Sequence, residues 1–420
     1  MPNDFEYADW LSMECLTLLE SKRVVSSMFN TDYNKEFEKN FPIGDAVRVP
    51  YPQQFIGTRG LEYNPEAIAR RHAHIEFVET FQIGFEWDNA EAVLRAPRGR
   101  ERVSREILDP AMSQMAQNID SFCAEYAANN AASLVGAIGT NPTSYDATSA
   151  AARQIMQELA CPDTGDRAFI VPSKVMRSIK SANLGLFNPV TDQTKMFRKG
   201  IVGMADGFDW YESQSLKRHT SGVIATLATN TVTSTQTGTA AITTLALTNT
   251  TGDTYKAGDK FNIAAVYPVH PQTRKTFGTD LKTFTITADV TSASSTATIA
   301  FSPPIYGPGS QYQNVDALPV AAAVVTMWPG TSMVAAAAKT GNIGLALHKN
   351  AFALVGKSLE GPKESSVELY SEKRDPDSGL YISFLRQFDG RSRKMINRFD
   401  CLLGVGTFFN DACAVAIACG

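Results

Sequence analysis

The sequence of 420 residues has few cysteines, and its six cysteines show no pairing pattern. None of them stands in CxxC spacing, and their density is far below that of a disulfide-stabilised secreted domain. We therefore predict reduced, mostly buried thiols. The first ten residues, MPNDFEYADW, also lack the basic and apolar stretches of a secretory signal. These absences favour a protein that is made in the cytosol.

Long apolar runs and an excess of basic charge are missing as well. The longest apolar stretch, LPVAAAVVTMW from Leu318 to Trp328, is too short to cross a bilayer. The formal net charge of −4 does not favour electrostatic binding of nucleic-acid phosphates or of an anionic membrane. Hydrophobic residues make up 44% of the chain, which is enough for large cores, and the length predicts two or three domains.

Recognisable catalytic and phosphate-binding motifs are absent. The sequence has no GxSxG or HExxH motif, and its glycine-containing turns lack P-loop and dinucleotide-binding spacing. Only five histidines could activate Cys15, which we interpret as a small buried hydrophobic residue. Basic clusters at Arg95–Arg105 and Arg391–Arg398 are mixed with acidic residues, which favours a solvated face or a subunit contact.

One metal-binding pattern remains, in the stretch HAHIEFVET. His72 and His74 are two residues apart and share a face of a strand, and Glu79 follows. The arrangement resembles the first motif of cupin metal enzymes, but the second cupin motif has no counterpart. Glu79 also falls on the opposite face from His74 if the strand is regular. Polar residues on the wet face of a strand explain the pattern more simply, and a cupin-like metal enzyme stays as an alternative function.

The first part of the chain predicts a helical arm and an extended hairpin. Residues 1–30 carry apolar residues at helical spacing, and residues 57–87 alternate with period two. The predicted hairpin tip, TRGLEYNPEAIARR, has almost no core-forming residues and would have to rest on another chain. We therefore predict intersubunit contacts from five residues of this hairpin, Arg59, Glu62, Glu66, Arg70 and Arg71. We predict a further contact from Trp10 of the helical arm.

A long helix and an α/β region follow. Asp109 and Pro110 are suited to a helix start, and apolar residues from Met112 to Tyr126 recur at spacings of three and four. Between residues 149 and 216, two amphipathic helices flank a short buried strand, RAFIVPS. These segments predict helices laid along a sheet.

An uncharged, threonine-rich stretch from Ser221 to Gly252 then changes the character of the chain. It opens an all-β, turn-rich segment that ends near Met333 and contains the turn Ala257-Gly258-Asp259. Alternating strands resume afterwards, so we predict an all-β domain inserted into an α+β fold. A glycan-binding or adhesion module is an alternative function for such a domain.

The order of these segments resembles the HK97-fold major capsid proteins of tailed bacteriophages. Three stretches carry the resemblance: GFDWYESQSL, YKAGDKFNIAAVYPVHPQTRKTF and LYISFLRQFDGRSRKMINRFDCLLGVGTFF. More narrowly, the chain is similar to the coat proteins of short-tailed Salmonella phages, which carry an inserted β-barrel called the I-domain. The matching residues are Gly258, Asp259, Arg386, Asp389, Arg398, Asp400 and Gly404.

The resemblance implies an HK97-like capsid fold in six parts. These parts are an N-terminal arm (1–45), an extended E-loop hairpin (46–90), a P-domain with a spine helix (91–148), the first part of an A-domain (149–221), the I-domain (222–335) and a return to A- and P-domain strands (336–420).

The resemblance also implies a structural and not a catalytic function. Pentamers and hexamers of the chain would form an icosahedral shell that encloses phage DNA and matures by expansion. A scaffolding protein and a portal are the implied partners, packaged DNA would be contacted only weakly, and no cofactor or membrane is implied. The implied location is the virion, after assembly in the host cytoplasm. A cellular nanocompartment of the same fold is a near alternative.

One feature departs from the family pattern. The family loop ahead of the GDK strand is rich in charge, whereas residues Ala225 to Thr251 have no charged side chain here. Salt bridges between capsomers would have to be replaced by neutral threonine contacts, or the loop would need another role.

Overall fold

The computed structural model describes residues 4–33, 46–51, 54–55, 57, 60–61, 65, 71–88, 104–183, 203–328, 338–359, 369–375, 378–391 and 394–420. The chain divides into two compact units. The first unit comprises Met1–Val49, Ala73–Cys123 and Phe352–Thr407, and the second unit comprises Pro50–His72, Ala124–Ala351 and Phe408–Gly420.

The α-helices of the described residues are α1 (Asp4–Lys22), α2 (Asp109–Asn130), α3 (Ala151–Glu158), α4 (Ser173–Asn183) and α5 (Asn410–Cys413). Short 3-10 turns span Ser26–Met28 and Leu227–Thr229, and π-helical turns span Ser104–Leu108 and Asp146–Ala150. No helix among these residues is long and apolar enough to cross a membrane.

Strands before residue 222 are β1 (Ala46–Pro50), β2 (His72–Asp88), β3 (Ser133–Gly136), β4 (Arg167–Val171), β5 (Met204–Ala205), β6 (Phe208–Glu212) and β7 (Arg218–Thr220). The predicted insertion contains β8 (Thr231–Val232), β9 (Ile242–Thr248), β10 (Thr254–Tyr255), β11 (Lys260–Ile263), β12 (Thr283–Ile286), β13 (Val290–Thr291), β14 (Thr296–Ile305) and β15 (Val325–Met327). The remaining strands are β16 (Thr340–His348), β17 (Phe352–Lys357), β18 (Leu369–Arg374), β19 (Tyr381–Asp389), β20 (Lys394–Thr407) and β21 (Ala414–Ala418).

The predicted helices are confirmed, and the first is shorter than predicted. The N-terminal helix ends at Lys22, before the predicted residue 30, and a 3-10 turn follows it. α2 begins at Asp109 as predicted, but a π-helical turn precedes it directly. The Asp109 carboxylate therefore does not act as the predicted cap; it lies 2.7 Å from the Lys22 ammonium. α4 begins at Ser173, the last residue of the stretch RAFIVPS, which agrees with the predicted helix after that strand.

The first unit is built on one six-stranded sheet in the order β1-β2-β20-β19-β18, with β17 also paired to β20. β2 pairs with β20 from Ile75↔Gly406 to Asp88↔Lys394. Most of β2 is therefore a strand of this sheet. Phe81 packs edge-on against Phe122 of α2 at 5.6 Å, which lays that part of the helix on the sheet.

The second unit contains a seven-stranded sheet in the order β3-β21-β16-β4-β6-β5, to which β7 adds by pairing with β16. The β7–β16 register runs from Thr220↔Thr340 to Arg218↔Asn342. The chain thus leaves this sheet at Thr220 and rejoins it at Thr340, with all of β8–β15 in between. The predicted end of this segment near Met333 lies outside the described residues.

Strands β8, β9, β11, β12, β14 and β15 form a separate antiparallel sheet in the order β15-β11-β12-β14-β9-β8. A bridge between Thr231 and Val324 joins its two edges, so the sheet closes on itself as a barrel. Phe261, Phe284 and Phe301 meet inside it with ring centroids 5.4–5.7 Å apart. Closure leaves the barrel without an unpaired strand edge. These strands carry few charged side chains, which would otherwise be needed to keep an open edge from pairing with another chain.

Candidate functional site

The turn Ala257-Gly258-Asp259 places a fully buried carboxylate at the start of β11. Asp259 Oδ1 accepts hydrogen bonds from His219 Nε2 (2.8 Å) and Trp328 Nε1 (3.1 Å). Its Oδ2 accepts from the backbone amides of Gly222 (3.0 Å) and Lys256 (2.8 Å). His219 and Gly222 precede the barrel, and Trp328 follows it. This Asp259 cluster therefore ties together the incoming and outgoing segments of the barrel.

Two glycines allow the close approach of these segments. A Cβ on Gly222 would lie 2.0 Å from the Thr254 carbonyl oxygen. Gly258 has φ +96°, and a Cβ there would lie 2.7 Å from Asn129 Oδ1. Both positions accept only glycine, because backbone or a packed side chain fills the space that any other residue needs.

Lys260, directly after Asp259, is buried against the end of α2. Its ammonium donates to the carbonyl oxygens of Ala128 (2.9 Å) and Ala131, and to Thr285 Oγ1 (2.7 Å). The last carbonyls of a helix lack partners within the helix and carry partial negative charge. A barrel lysine therefore caps α2, in addition to Asn410, whose side-chain amide donates to the carbonyl of residue 130 at 2.7 Å.

Burial lowers the pKa of Lys260 to about 7, the nearby positive charge of Lys217 adds to this effect, and Asp259 opposes it. An unfolded lysine has a pKa of about 10.4, so the unfolded chain binds more protons between these values. The free energy of unfolding should therefore rise with pH from about 7 to about 10, by at most about 1.4 kcal/mol per pH unit from this group.

The measurement is the free energy of unfolding of the full chain at several pH values, for the wild type and for Lys260→Met. The free energy of unfolding of the wild type minus that of Lys260→Met should become more positive as the pH rises from about 7 to about 10. An exposed lysine of the barrel, replaced in Lys275→Met, is the control, and its loss should change the free energy of unfolding by less than about 0.5 kcal/mol. A pH-independent difference for Lys260→Met would contradict the prediction.

A third cluster closes the segment between β1 and β2. The Tyr51 amide donates to the Arg71 carbonyl oxygen at 2.9 Å, so the two sides of this segment meet there. The Arg71 guanidinium lies 5.2, 5.0 and 4.7 Å from the ring centroids of Tyr51, Tyr306 and Tyr312. Contacts of this kind each contribute about 0.5–2 kcal/mol. The base of the predicted hairpin is thereby fixed to the barrel loop that follows β14.

In the first unit, Asp120 of α2 holds the chain that follows α1. Its Oδ2 accepts from the Val24 amide at 2.7 Å, and its Oδ1 accepts from the Ser26 amide (2.9 Å) and hydroxyl (2.6 Å). The carboxylate is buried and satisfies the amides at the start of the Ser26–Met28 turn.

The predicted histidine site is not assembled. His72, His74 and Glu79 are exposed on β2. A bulge between Phe77 and Glu79 corrects the expected geometry: Glu76 faces Val405 and Glu79 faces Leu403, so Glu79 shares the face of Glu76 and hence of His74. Even so, within the described part of the chain the metal-ligating side chains that converge are elsewhere, at Cys161, His348 and Cys413. The cupin-like alternative therefore gains no support.

The predicted contact residues are only partly within the described chain. Arg59, Glu62, Glu66 and Arg70 lie outside it, as does most of the basic cluster Arg95–Arg105. Trp10 is half-buried in α1. Arg71 contacts the three tyrosines of its own chain. Contact of these residues with another subunit stays a prediction.

The family-matching residues outside the barrel lie on β19 and β20. Arg398 Nε donates to Asp400 Oδ1 at 2.7 Å, Arg386 is in register with Asn397, and Asp389 is in register with Lys394. A Cβ on Gly404 would lie 2.9 Å from the Glu76 carbonyl oxygen, so this glycine permits the close pairing of β20 with β2. These residues shape the sheet and do not converge on one point.

All six cysteines are buried and free, as predicted. Burial raises the pKa of the Cys15 thiol to about 12, which fits its interpretation as a buried hydrophobic residue and not a nucleophile.

Comparison with known proteins identifies the chain. Residues 75–418 match the family model described as P22 coat protein, gene protein 5. The protein is therefore a viral structural subunit of the coat-protein class, a component of the virion. It belongs to the P22 coat protein family, and its function is that of a phage major capsid protein. No curated protein matches the chain significantly.

Several solved phage structures are similar to the mixed α+β chain. A structure from Mycobacterium phage Che8 has 14% identity and a TM-score of 0.47, over 94% of this chain and 90% of that one. The capsid of cyanophage P-SCSP1u has 11% identity and a TM-score of 0.43, over 90% and 85%. The capsid of Helicobacter pylori bacteriophage KHP30 has 12% identity and a TM-score of 0.39, over 89% and 83%. The family assignment rests on the sequence match.

Proposed function

We propose that copies of this chain assemble, through the segment between β1 and β2, into an icosahedral head shell of pentamers and hexamers. The observation that carries the proposal is apolar exposure in that segment: the side chains of Phe55 and Leu61 are 64% and 108% exposed. Two large apolar side chains this exposed in one short segment suit a contact with a neighbouring subunit. Burial of two such side chains against a neighbouring subunit contributes about 1.5–3 kcal/mol each.

The anchoring of this segment supports the same proposal. Gln311 Nε2 donates to the Gln54 carbonyl oxygen at 2.7 Å, close to the Arg71 cluster. A segment that is fixed at its base can present Phe55 and Leu61 to a neighbouring subunit with less loss of conformational freedom than an unanchored loop.

The six-part division of an HK97-like capsid fold is part of the proposal. It assigns 1–45 to the N-terminal arm, 46–90 to the E-loop, 91–148 to the P-domain with α2 as spine helix, 149–221 and part of 336–420 to the A-domain, and 222–335 to the I-domain. The pairing of β7 with β16 supports the insertion, because the two strands on either side of it are neighbours in one sheet.

The remaining partners follow from this function. A scaffolding protein and a portal would guide closure of the shell, in the host cytoplasm. Packaged DNA would be contacted weakly, since the net charge is −4. Expansion of a precursor shell would move the E-loop and α2 relative to neighbouring subunits.

The test replaces residues 58–69 by a short glycine–serine turn and leaves Arg71 and Gln54 in place. Because the Tyr51 amide and the Arg71 carbonyl are 2.9 Å apart, the shortened segment can close without strain on the rest of the chain. We expect a soluble, folded subunit that forms no shells, tubes or spirals, as judged by negative-stain electron microscopy and light scattering of the concentrated protein.

A matched point variant separates loss of the apolar contact from loss of length. Leu61→Ser should reduce assembly at least tenfold, as expected for an interface contact worth about 1.4 kcal/mol or more, whereas Leu61→Met should assemble like the wild type. Normal particles from the shortened chain would refute the proposal.

A further inference from the structure

Three metal-ligating side chains converge in the second unit, away from the clusters described above. Cys161 follows α3, His348 ends β16 and Cys413 ends α5. One ligand atom of each lies within 4.8 Å of those of the other two, and all three residues are buried. Zn²⁺ bonds of about 2.3 Å to sulfur and about 2.1 Å to nitrogen would set ligand separations of roughly 3.5–4 Å, which small side-chain movements can reach.

The donor set selects the kind of ion. Two thiols and one imidazole are soft and borderline ligands, which favour Zn²⁺ and similar thiophilic cations over Mg²⁺ or Ca²⁺. His348 Nδ1 accepts a hydrogen bond from the Asn350 amide at 3.1 Å, and Nε2 lies 3.0 Å from Thr164 Oγ1. An imidazole that accepts from an amide is neutral, which is the form that binds metals. One of these two hydrogen bonds gives way when the ring binds an ion.

The local charge balance also accommodates a divalent cation. The buried Arg167 guanidinium donates to the carbonyl oxygens of Cys161 (3.2 Å) and Pro162 (3.0 Å). Its charge is balanced by Asp163, whose carboxylate lies 3.4 Å from Nη1. A Zn²⁺ ion that displaces one proton from each of the two thiols adds no net charge to this buried region. Binding would therefore release two protons for each ion taken up.

We propose that Cys161, His348 and Cys413 form a binding site with three protein ligands for one thiophilic divalent cation, with Zn²⁺ as the ion that fits best. The ion would join the segment after α3, the end of β16 and the segment that leads into β21. Because β21 lies between β3 and β16 in the sheet, the ion would fix the last strand of the chain in place. This proposal does not depend on the mode of assembly proposed above.

The first test uses the full-length chain without a histidine tag. Protein purified under reducing conditions is stripped with a chelator and titrated with Co²⁺, which gives sulfur-to-cobalt charge-transfer absorption when thiolates bind it. We expect saturation at one Co²⁺ per chain, displacement of Co²⁺ by Zn²⁺, release of two protons per ion and a higher melting temperature with the ion bound.

Cysteine variants locate the site. Cys161→Ser and Cys413→Ser should each lose the charge-transfer band and weaken Zn²⁺ binding by at least about 100-fold, while Cys419→Ser, a buried thiol of the same unit outside the group, should bind like the wild type. Absence of the band in the wild type would overturn the proposal without reference to any variant. A Cys161–Cys413 disulfide in isolated protein that contains no metal by elemental analysis would also overturn it.

Discussion

Replacing Asp259 by alanine is expected to destabilise the second unit by about 3–5 kcal/mol. The carboxylate is fully buried and accepts hydrogen bonds from two side chains, His219 and Trp328, and from two backbone amides. Alanine would remove the acceptor that these four donors share, and three of the four are buried. Since a typical domain is stable by only about 5–15 kcal/mol, we expect most of the variant to be insoluble at physiological temperature.

The measurement is chemical unfolding of the full chain at low temperature, followed by circular dichroism and by tryptophan fluorescence, to which the buried Trp328 contributes. Asp259→Asn should be less destabilising than alanine, because it keeps one acceptor oxygen but turns an amide group toward two donors. Asp280→Ala changes an exposed carboxylate of the same barrel and should alter stability by less than about 0.5 kcal/mol. If Asp259→Ala were as stable as Asp280→Ala, the Asp259 cluster would not hold the barrel segments together.

The Asp259 cluster shows where sequence reasoning stops. The turn at Gly258 is readable from the sequence, because a glycine-aspartate pair before an apolar strand has a local signature. Its partners are not readable, since His219 and Trp328 lie 40 and 69 residues away and reach Asp259 only through the closure of the barrel. One signal was available for Lys260: a charged residue at the start of the strand KFNI, next to the apolar Phe261, needs a partner if it is buried.

Amphipathic helices were predictable because their pattern repeats within one turn. α3 and α4 follow from the spacing of residues such as Met156 and Ile179, which are both buried. The register of the strands was harder to predict from the sequence. The bulge after Phe77 reverses the face on which Glu79 lies, and the sequence HAHIEFVET gives no local sign of it. The convergence of Cys161, His348 and Cys413 was equally invisible, because the three residues lie on separate elements.

Replacing Asp120 by alanine is the matching experiment in the first unit, with an expected loss of about 2–4 kcal/mol. Asp120 accepts hydrogen bonds from the Val24 amide and from the amide and hydroxyl of Ser26. Without the carboxylate these donors lose their partners, and the segment after α1 should open more often. Arg23 is buried in this segment, so the local readout is the rate of tryptic cleavage after Arg23.

Cleavage should be at least tenfold faster in Asp120→Ala than in the wild type, because each 1.4 kcal/mol of local destabilisation raises the open population about tenfold. Gln117→Ala, an exposed position on the same helix, is the control and should leave the rate unchanged. Equal cleavage of all three proteins would mean that the carboxylate does not hold this segment. Faster cleavage in Asp120→Ala without a loss of shells would mean that the anchoring stabilises the subunit and that assembly tolerates its loss. Faster cleavage together with a loss of shells would connect the position of the N-terminal arm to assembly, because Asp120 contacts the chain directly after α1.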